Sequence, residues 1–448
     1  MVKEKAFYKT LAALALPVAL QSLISLGVNM MDNIMVGSLG EIKLSGVALA
    51  NQVTVFLAFY IRGVSGGASV LISQYWGKRD MQRIRSVFGI VFQVSLVLTG
   101  AAALLIHFFP GDVMSIFTNN AAIIEEGRRY ITIVCFSYIL NAVTETFIAM
   151  LRSVEVVRIS LLVSTLTLFV NTFFNFCLIF GRFGFPAMGI EGAAVATVIA
   201  RGTEMVIVLT YVFFIDKRVQ LRPRNLIVVE KQLYADFWRY GAPIVAGDMQ
   251  WGLVGAFKST IIGRLGPMMV AANSMTEVVL SLGAIFTSGL SNAACVVIGK
   301  TVGAGELKKT REYSNTIQIL FVCVGVVMMA FIYLIRPVPL AWYNVTEETR
   351  QLAMTMLAIG AVTMLGTTYH AACFTGINRG AGDGKFVFKV DMVCGWLIVL
   401  PLMALAAFVF KWPLPVVFLC SRIDQCFKWL IALIRLRGNR WIRNVTRA

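Results

Sequence analysis

Asn29-Met-Met-Asp-Asn-Ile-Met-Val-Gly-Ser-Leu-Gly40 closes an apolar run in which Asp32 is the sole ionisable residue between Leu11 and Val36. As a helix, about 20 apolar residues cross a hydrocarbon core of about 30 Å, and this run is long enough. A carboxylate inside such a helix costs roughly 2.5–3.5 kcal/mol on insertion scales, so it is expected to face protein or water rather than lipid. The last four residues, Gly37-Ser-Leu-Gly40, return 226 positions later as Gly263-Arg-Leu-Gly266.

The same offset carries an ungapped alignment outward in both directions. It pairs Pro17 with Pro243, Gly63 with Gly289, Ser65 with Ser291, Ala68 with Ala294, Val70 with Val296, Ile72 with Ile298, Gly77 with Gly303 and Arg85 with Arg311. The chain is therefore an internal duplication. Its ionisable residues have diverged: Lys258 stands opposite Asp32, and Asp248 opposite Ser22.

The bulk composition agrees with a membrane protein. At 448 residues, 58% hydrophobic, 14% charged and mean hydropathy +0.78, the chain is too apolar for a soluble protein of its size. Apolar runs predict twelve helical spans near 11–38, 46–72, 86–109, 130–150, 159–180, 190–215, 240–263, 271–298, 313–335, 351–376, 387–410 and 413–434. Their length excludes the ten-residue alternating strands of a barrel. The first run is longer than a signal-peptide core and lacks a cleavage site, so it is expected to remain as a helix.

The expected fold is an all-α polytopic bundle of twelve transmembrane helices in two parallel six-helix repeats. The expected units are an N-lobe over 1–220, a cytoplasmic linker over 221–239, and a C-lobe over 240–448 with a basic tail. With six spans per copy both repeats enter from the same side, an arrangement used by transporters that rock one half against the other. Placing both termini in the cytoplasm puts 27 of the 40 Lys and Arg residues on the inside. The net charge of +17 then reads as interaction with anionic lipid. No basic stretch is interleaved with aromatics, which argues against nucleic acid. Eight cysteines without a C-x-x-C pair read as small packing residues.

Candidate functional residues cluster by span. Asp32 lies in span 1; Asn171 and Asn175 lie one turn apart on one face of span 5; Thr197 lies in span 6; and Asn141 and Glu145 lie in span 4. A carboxylate with carboxamide and hydroxyl oxygens suits a proton carrier or a hard monovalent cation, for which Asp32 and Asn171 would be ligands. The same amides could simply join helices. In the second half, Asp248, Lys258 and Glu277 form a candidate coupling or substrate site. Lys258 could balance Asp248 or Asp32, or extend outward along its aliphatic stem. Arg201 and Glu204 could neutralise each other at i, i+3. Asp391 and Asp424 carry weaker functional signals.

Enzyme motifs are absent. The two histidines, His107 and His370, sit in different halves, with no H-E-x-x-H, Walker lysine or G-x-S-x-G. An intramembrane enzyme would need His370 as its base.

Seven features in order carry a resemblance. They are Met31-Asp-Asn-Ile-Met-Val-Gly-Ser-Leu-Gly40, Ser73-Gln-Tyr-Trp-Gly77, Asn171-x-x-x-Asn175 with Leu178-Ile-Phe-Gly181, Gly192-Ala-Ala-Val-Ala-Thr197, Gly263-Arg-Leu-Gly266, Gly376-Ile-Asn-Arg-Gly-Ala-Gly-Asp383, and Trp396 and Pro401 after Asp391. In these the chain resembles bacterial multidrug and toxic compound extrusion (MATE) transporters. The resemblance implies a V-shaped pair of lobes and efflux of organic, often cationic or amphipathic compounds, driven by Na+ or H+ entering the cell. It implies a monomer in the cell membrane with no cofactor beyond the coupling ion, and a lipid-linked glycan flippase of the wider superfamily is the alternative. Asp32, Asn171 and Thr197 match the family's N-lobe ion site, and Asn175 stands where several members have Asp. Asp248 lies near the place of a membrane Glu in the seventh helix of many members.

Overall fold

Lipid offers backbone groups no partners, so an apolar chain must satisfy its N–H and C=O groups within helices. The computed structural model describes all residues except 1, 228, 229, 344, 439 and 448, and residues 228 and 229 of the expected linker therefore lie outside it. Among the described residues it contains twelve long helices. The first six are α1 (Lys5–Gly37), α2 (Glu41–Lys78), α3 (Met81–Phe108), α4 (Ala121–Ser153), α5 (Arg158–Phe180) and α6 (Ile190–Ile215). Then come α7 (Lys231–Gly263), α8 (Pro267–Gly303), α9 (Leu307–Ala341), α10 (Glu347–Asn378) and α11 (Gly384–Val409). Leu414–Ser421 and Asp424–Arg437, joined through Arg422 and Ile423, make α12.

Ten of these helices among the described residues are long and apolar enough to cross a membrane. The other two explain themselves chemically. Helix α7 carries Lys231, Asp236, Arg239, Asp248 and Lys258, and α12 is interrupted. Side-chain caps satisfy free N–H groups at several helix starts: Asp80 accepts from Arg83 N before α3, Asn120 from Ala122 N before α4, and Thr346 from Thr349 N before α10.

The backbone repeats as the residues do. Pro17 lies inside α1 and Pro243 inside α7. Gly40 and Gly266, one repeat apart, both have positive φ, 111° and 99°, in the turns that start α2 and α8. Arg79 and Gly305, again one repeat apart, are left-handed at φ 62° and 77° where α2 and α8 end. The left-handed region is costly for side chains other than glycine, so Arg79 holds a strained turn that its counterpart adopts freely.

The chain divides into two compact units. One contains residues 20–72 and 80–238, with Val47, Ala50, Ile106, Met114, Ile131, Tyr138 and Ile190 in its core. The other contains residues 1–19, 73–79 and 239–448, with a core of Met269, Met275, Leu280, Ile332, Leu357, Met364 and Phe418. The start of α1 and the end of α2 thus belong with the C-terminal half.

In that second unit the segment after α12 doubles back over the α10–α11 turn. Arg443 N donates to Ala381 O at 2.9 Å, and fully buried Asp383 binds Arg435 at 2.7 Å and Arg443 at 3.1 Å. Buried Gln74 completes the attachment: its Nε2 donates to the carbonyls of Gly380 and Arg443, and its Oε1 accepts from Val445 N at 2.8 Å.

Candidate functional site

Three helices of the first unit place the predicted N-terminal set. The i, i+4 spacing in α5 puts Asn171 and Asn175 on one buried face, at 2% and 1% exposure, turned toward Asp32 of α1. Asn175 Nδ2 donates both to Asp32 Oδ1 and, at 3.1 Å, to Asn171 Oδ1. Its other end, Asn175 Oδ1, is buried without a hydrogen-bond partner. One carboxylate, one doubly used amide donor and one unsatisfied acceptor therefore meet between α1 and α5.

Thr197 joins this group indirectly. Its hydroxyl donates to Ala193 O at 3.0 Å in its own helix and meets the hydroxyl of Tyr130, a buried residue of α4 within electrostatic reach of Asp32. Tyr130 escaped the sequence reading because nothing in local spacing marks it. It arrives through the packing of α4 on α6. Arg201 bonds Glu204 at 2.7 Å, as their spacing predicts, and its charge reaches Asp32 and Glu145. Glu145 also lies within reach of half-buried Arg152, which donates to Gln21 Oε1 at 3.4 Å.

The second-half candidates separate. Asp248 pairs with Arg379, the residue that follows α10, Nη2 to Oδ1 at 2.7 Å, with side-chain exposures of 9% and 12%. Lys258 does not balance Asp248; its Nζ donates to Ser421 O at 2.6 Å. Glu277 is exposed on α8 and lies within electrostatic reach of Lys258 and Arg422. Near Lys258 the structure assembles a group that sequence reasoning left scattered. Lys428, fully buried in α12, lies 3.0 Å from Asp391 of α11 and 2.8 Å from Asp424. The i, i+4 spacing of Asp424 and Lys428 was the available signal for half of this cluster.

His370 contacts the carbonyl of Gly366 in its own helix at 3.0 Å and packs edge-on against Phe374. Tyr369 donates to Gln318 Oε1 at 2.8 Å. Among the described residues no group of three or more His, Cys, Asp or Glu could hold a metal ion.

The family model described as MatE matches residues 17–177 and 249–405, one stretch in each repeat. An uncharacterized transporter, YisQ, of Bacillus subtilis is 20% identical over 92% of this chain and 90% of its own length. The probable multidrug resistance protein NorM of Thermotoga maritima is 28% identical over 72% of this chain and 70% of its own. Among solved structures, a MATE transporter in a bent conformation superimposes with a TM-score of 0.86 at 17% identity, covering 96% of both chains. The eukaryotic MATE transporter AtDTX14 does so with 0.85 at 19% identity, covering 98% of this chain and 97% of that one. Sequence order, duplicated architecture and a match in both repeats agree, and this chain belongs to the multidrug and toxic compound extrusion (MATE) family of multidrug efflux transporters.

Proposed function

We propose that the protein is a monomeric ion-coupled antiporter of the cell membrane, with both termini in the cytoplasm. It exports organic cationic or amphipathic compounds in exchange for H+ or Na+ entering the cell, by alternating access of its two halves. The observation that carries this reading is Asn175, whose amide donates to Asp32 while its own Oδ1 is buried and unpaired. An unsatisfied buried acceptor costs roughly 1–3 kcal/mol, and a bound cation relieves that cost in either of two ways. A proton on Asp32 makes an O–H donor, which Asn175 Oδ1 accepts once that amide and the amide of Asn171 have both turned over, so that Asn171 donates to Asn175. A sodium ion takes Asn175 Oδ1, the Asp32 carboxylate and Asn171 Oδ1 as oxygen ligands.

The energetics are sufficient for export. One charge moving inward through 100 mV releases about 2.3 kcal/mol, enough for roughly fiftyfold accumulation before any ion gradient is added. Proteoliposomes with pH and sodium gradients imposed separately test the reading. One of the two gradients is expected to drive export of an organic cation, and Asp32→Asn to abolish the drive while the protein still inserts. Undiminished gradient-driven export by that variant overturns the site.

A further inference from the structure

We propose that the second unit binds a phosphate group, that of an anionic lipid headgroup or of a free phosphate ester, in a basic cavity formed by α7, the α10–α11 turn and the C-terminal segment. The inference concerns neither the coupling ion nor the exported compound, and it stands apart from both. The cavity holds about 280 Å³. Its walls are Arg239 and Tyr240 of α7, Gly382 of the turn, Lys385 of α11 and Arg443 of the C-terminal segment.

The backbone puts Arg443 there. Gly382 turns at φ 83°, and a side-chain carbon at that place would overlap Val445 and the carbonyl of Arg443, so glycine is what lets the returning segment lie this close. Arg443 N donates to Ala381 O at 2.9 Å, and its guanidinium reaches Asp383 Oδ1 at 3.1 Å. This wall of the cavity is therefore held in place by the protein itself.

The balance of charge then calls for an anion. Asp383 is the carboxylate in contact with this group, and Arg435 already holds its other oxygen at 2.7 Å, so one negative charge is shared by two guanidiniums. Arg239 and Lys385 are exposed and have no ion-pair or hydrogen-bond partner among the described residues; Arg239 meets the ring of its neighbour Tyr240 at 5.6 Å. Four positive charges against one carboxylate leave an excess of three, and counting buried Asp236, one turn before Tyr240 in the same helix, still leaves two. Lys389, one turn beyond Lys385, and exposed Arg437 and Arg440 add charge of the same sign. A bias of basic residues toward one side of a membrane accounts for their number, but not for three of them lining one cavity, where they repel one another.

Phosphate suits these donors. A guanidinium offers a flat pair of N–H groups to two phosphate oxygens, and the ammonium of Lys385 adds a point charge. The Tyr240 hydroxyl, without a hydrogen-bond partner among the described residues, adds a neutral donor. The cavity is larger than a phosphate ion and leaves room for the alcohol it esterifies. A lipid source is favoured by Trp238, the residue before Arg239 in α7, which is 42% exposed and of the type that sits at headgroup level. Basic pockets at the ends of membrane helices take anionic headgroups in this way.

Thermal unfolding of the full-length protein in uncharged detergent tests this, with dioleoylphosphatidylglycerol, dioleoylphosphatidylcholine and glycerol 1-phosphate titrated separately. Phosphatidylglycerol is expected to raise the melting temperature saturably, and phosphatidylcholine, whose choline cancels the phosphate charge, to leave it unchanged. In the double variant Arg239→Gln, Lys385→Gln the half-saturating concentration should rise by about tenfold or more. The control Lys9→Gln, Lys308→Gln removes as much charge at exposed positions of the same unit and should respond as wild type does. A saturable shift with glycerol phosphate supports the site and identifies a free phosphate ester as ligand; a shift with phosphatidylglycerol alone supports it and identifies the headgroup. The proposal is overturned by the absence of any saturable shift, by an equal response to phosphatidylcholine, by a site variant that responds as wild type, or by a control weakened as much as the site variant. Should the double variant fail to fold, Lys385→Gln alone carries the test: its half-saturating concentration should rise about fivefold, and an unchanged value overturns the site.

Discussion

Gly77 of α2 and Gly303 of α8 occupy the same position in the two repeats, and each packs against the backbone of the other's helix. A methyl group at Gly77 would overlap the carbonyl of Lys300, and one at Gly303 would overlap the carbonyl of Gln74, the repeat counterpart of Lys300. The contact is thus two-fold in sequence and in space. Backbone cannot yield as a flexible side chain does, so Gly77→Ala and Gly303→Ala are each expected to destabilise by about 1–3 kcal/mol. The pair should be less than additive because both strain one crossing. Thermal unfolding in detergent measures this, with Gly27→Ala as the control: nothing lies within 4 Å of its added carbon, and its stability should hold or rise.

The sign of an effect at Asn175 separates the coupling ions. Asn175→Leu removes the donor to Asp32, and hydrogen bonds to charged groups are worth about 1.5–3 kcal/mol, so half-maximal drive should move by roughly ten- to hundredfold. In a proton-coupled carrier the carboxylate loses the bond that favoured its ionised form, and drive saturates at lower proton concentration. In a sodium-coupled carrier a ligand is lost, and drive saturates at higher sodium concentration.

Asp248 and Arg379 offer a test of burial. Both side chains are largely enclosed, and Arg379→Met leaves an unpaired carboxylate, for an expected loss of about 3–5 kcal/mol. Asp248→Leu should cost as much by stranding the guanidinium. The double variant should recover most of the loss in denaturant unfolding, because the pair's own desolvation is then removed as well.

Gln74 anchors the end of the chain through three backbone groups, with Nε2 shared by two carbonyls and Oε1 taken by Val445 N. Gln74→Leu leaves those groups buried and unpaired at about 1–3 kcal/mol each. Limited proteolysis is expected to cut residues 440–447 faster in this variant, while Gln52→Leu, an exposed position of the same helix, should leave the rate unchanged.

Much of the candidate site in the first unit was legible as a grouping because its members share one helix face or one motif. Asn171 and Asn175 are a turn apart, so any helix at that place must present both to the same neighbour. Tyr130 was not legible, since its approach to Thr197 depends on how α4 and α6 rotate against each other. Lys258 shows the same limit from the other side. The sequence allowed it Asp248, Asp32 or an outward course, and the structure gives it a backbone carbonyl at Ser421, 163 residues away.

What the sequence determined by itself is the class of molecule, its helical spans and its duplication. Lipid enforces a regular helix on every apolar run, and the turns at Gly40 and Gly266 need a residue without a side-chain penalty at positive φ. What only the tertiary structure decided is the pairing of charges. Asp248 with Arg379, and Lys428 with Asp391, join residues of different helices whose relative depth and rotation no local period encodes. Burial then turns those pairings into energies, because away from water each charge must find its partner within a few ångströms.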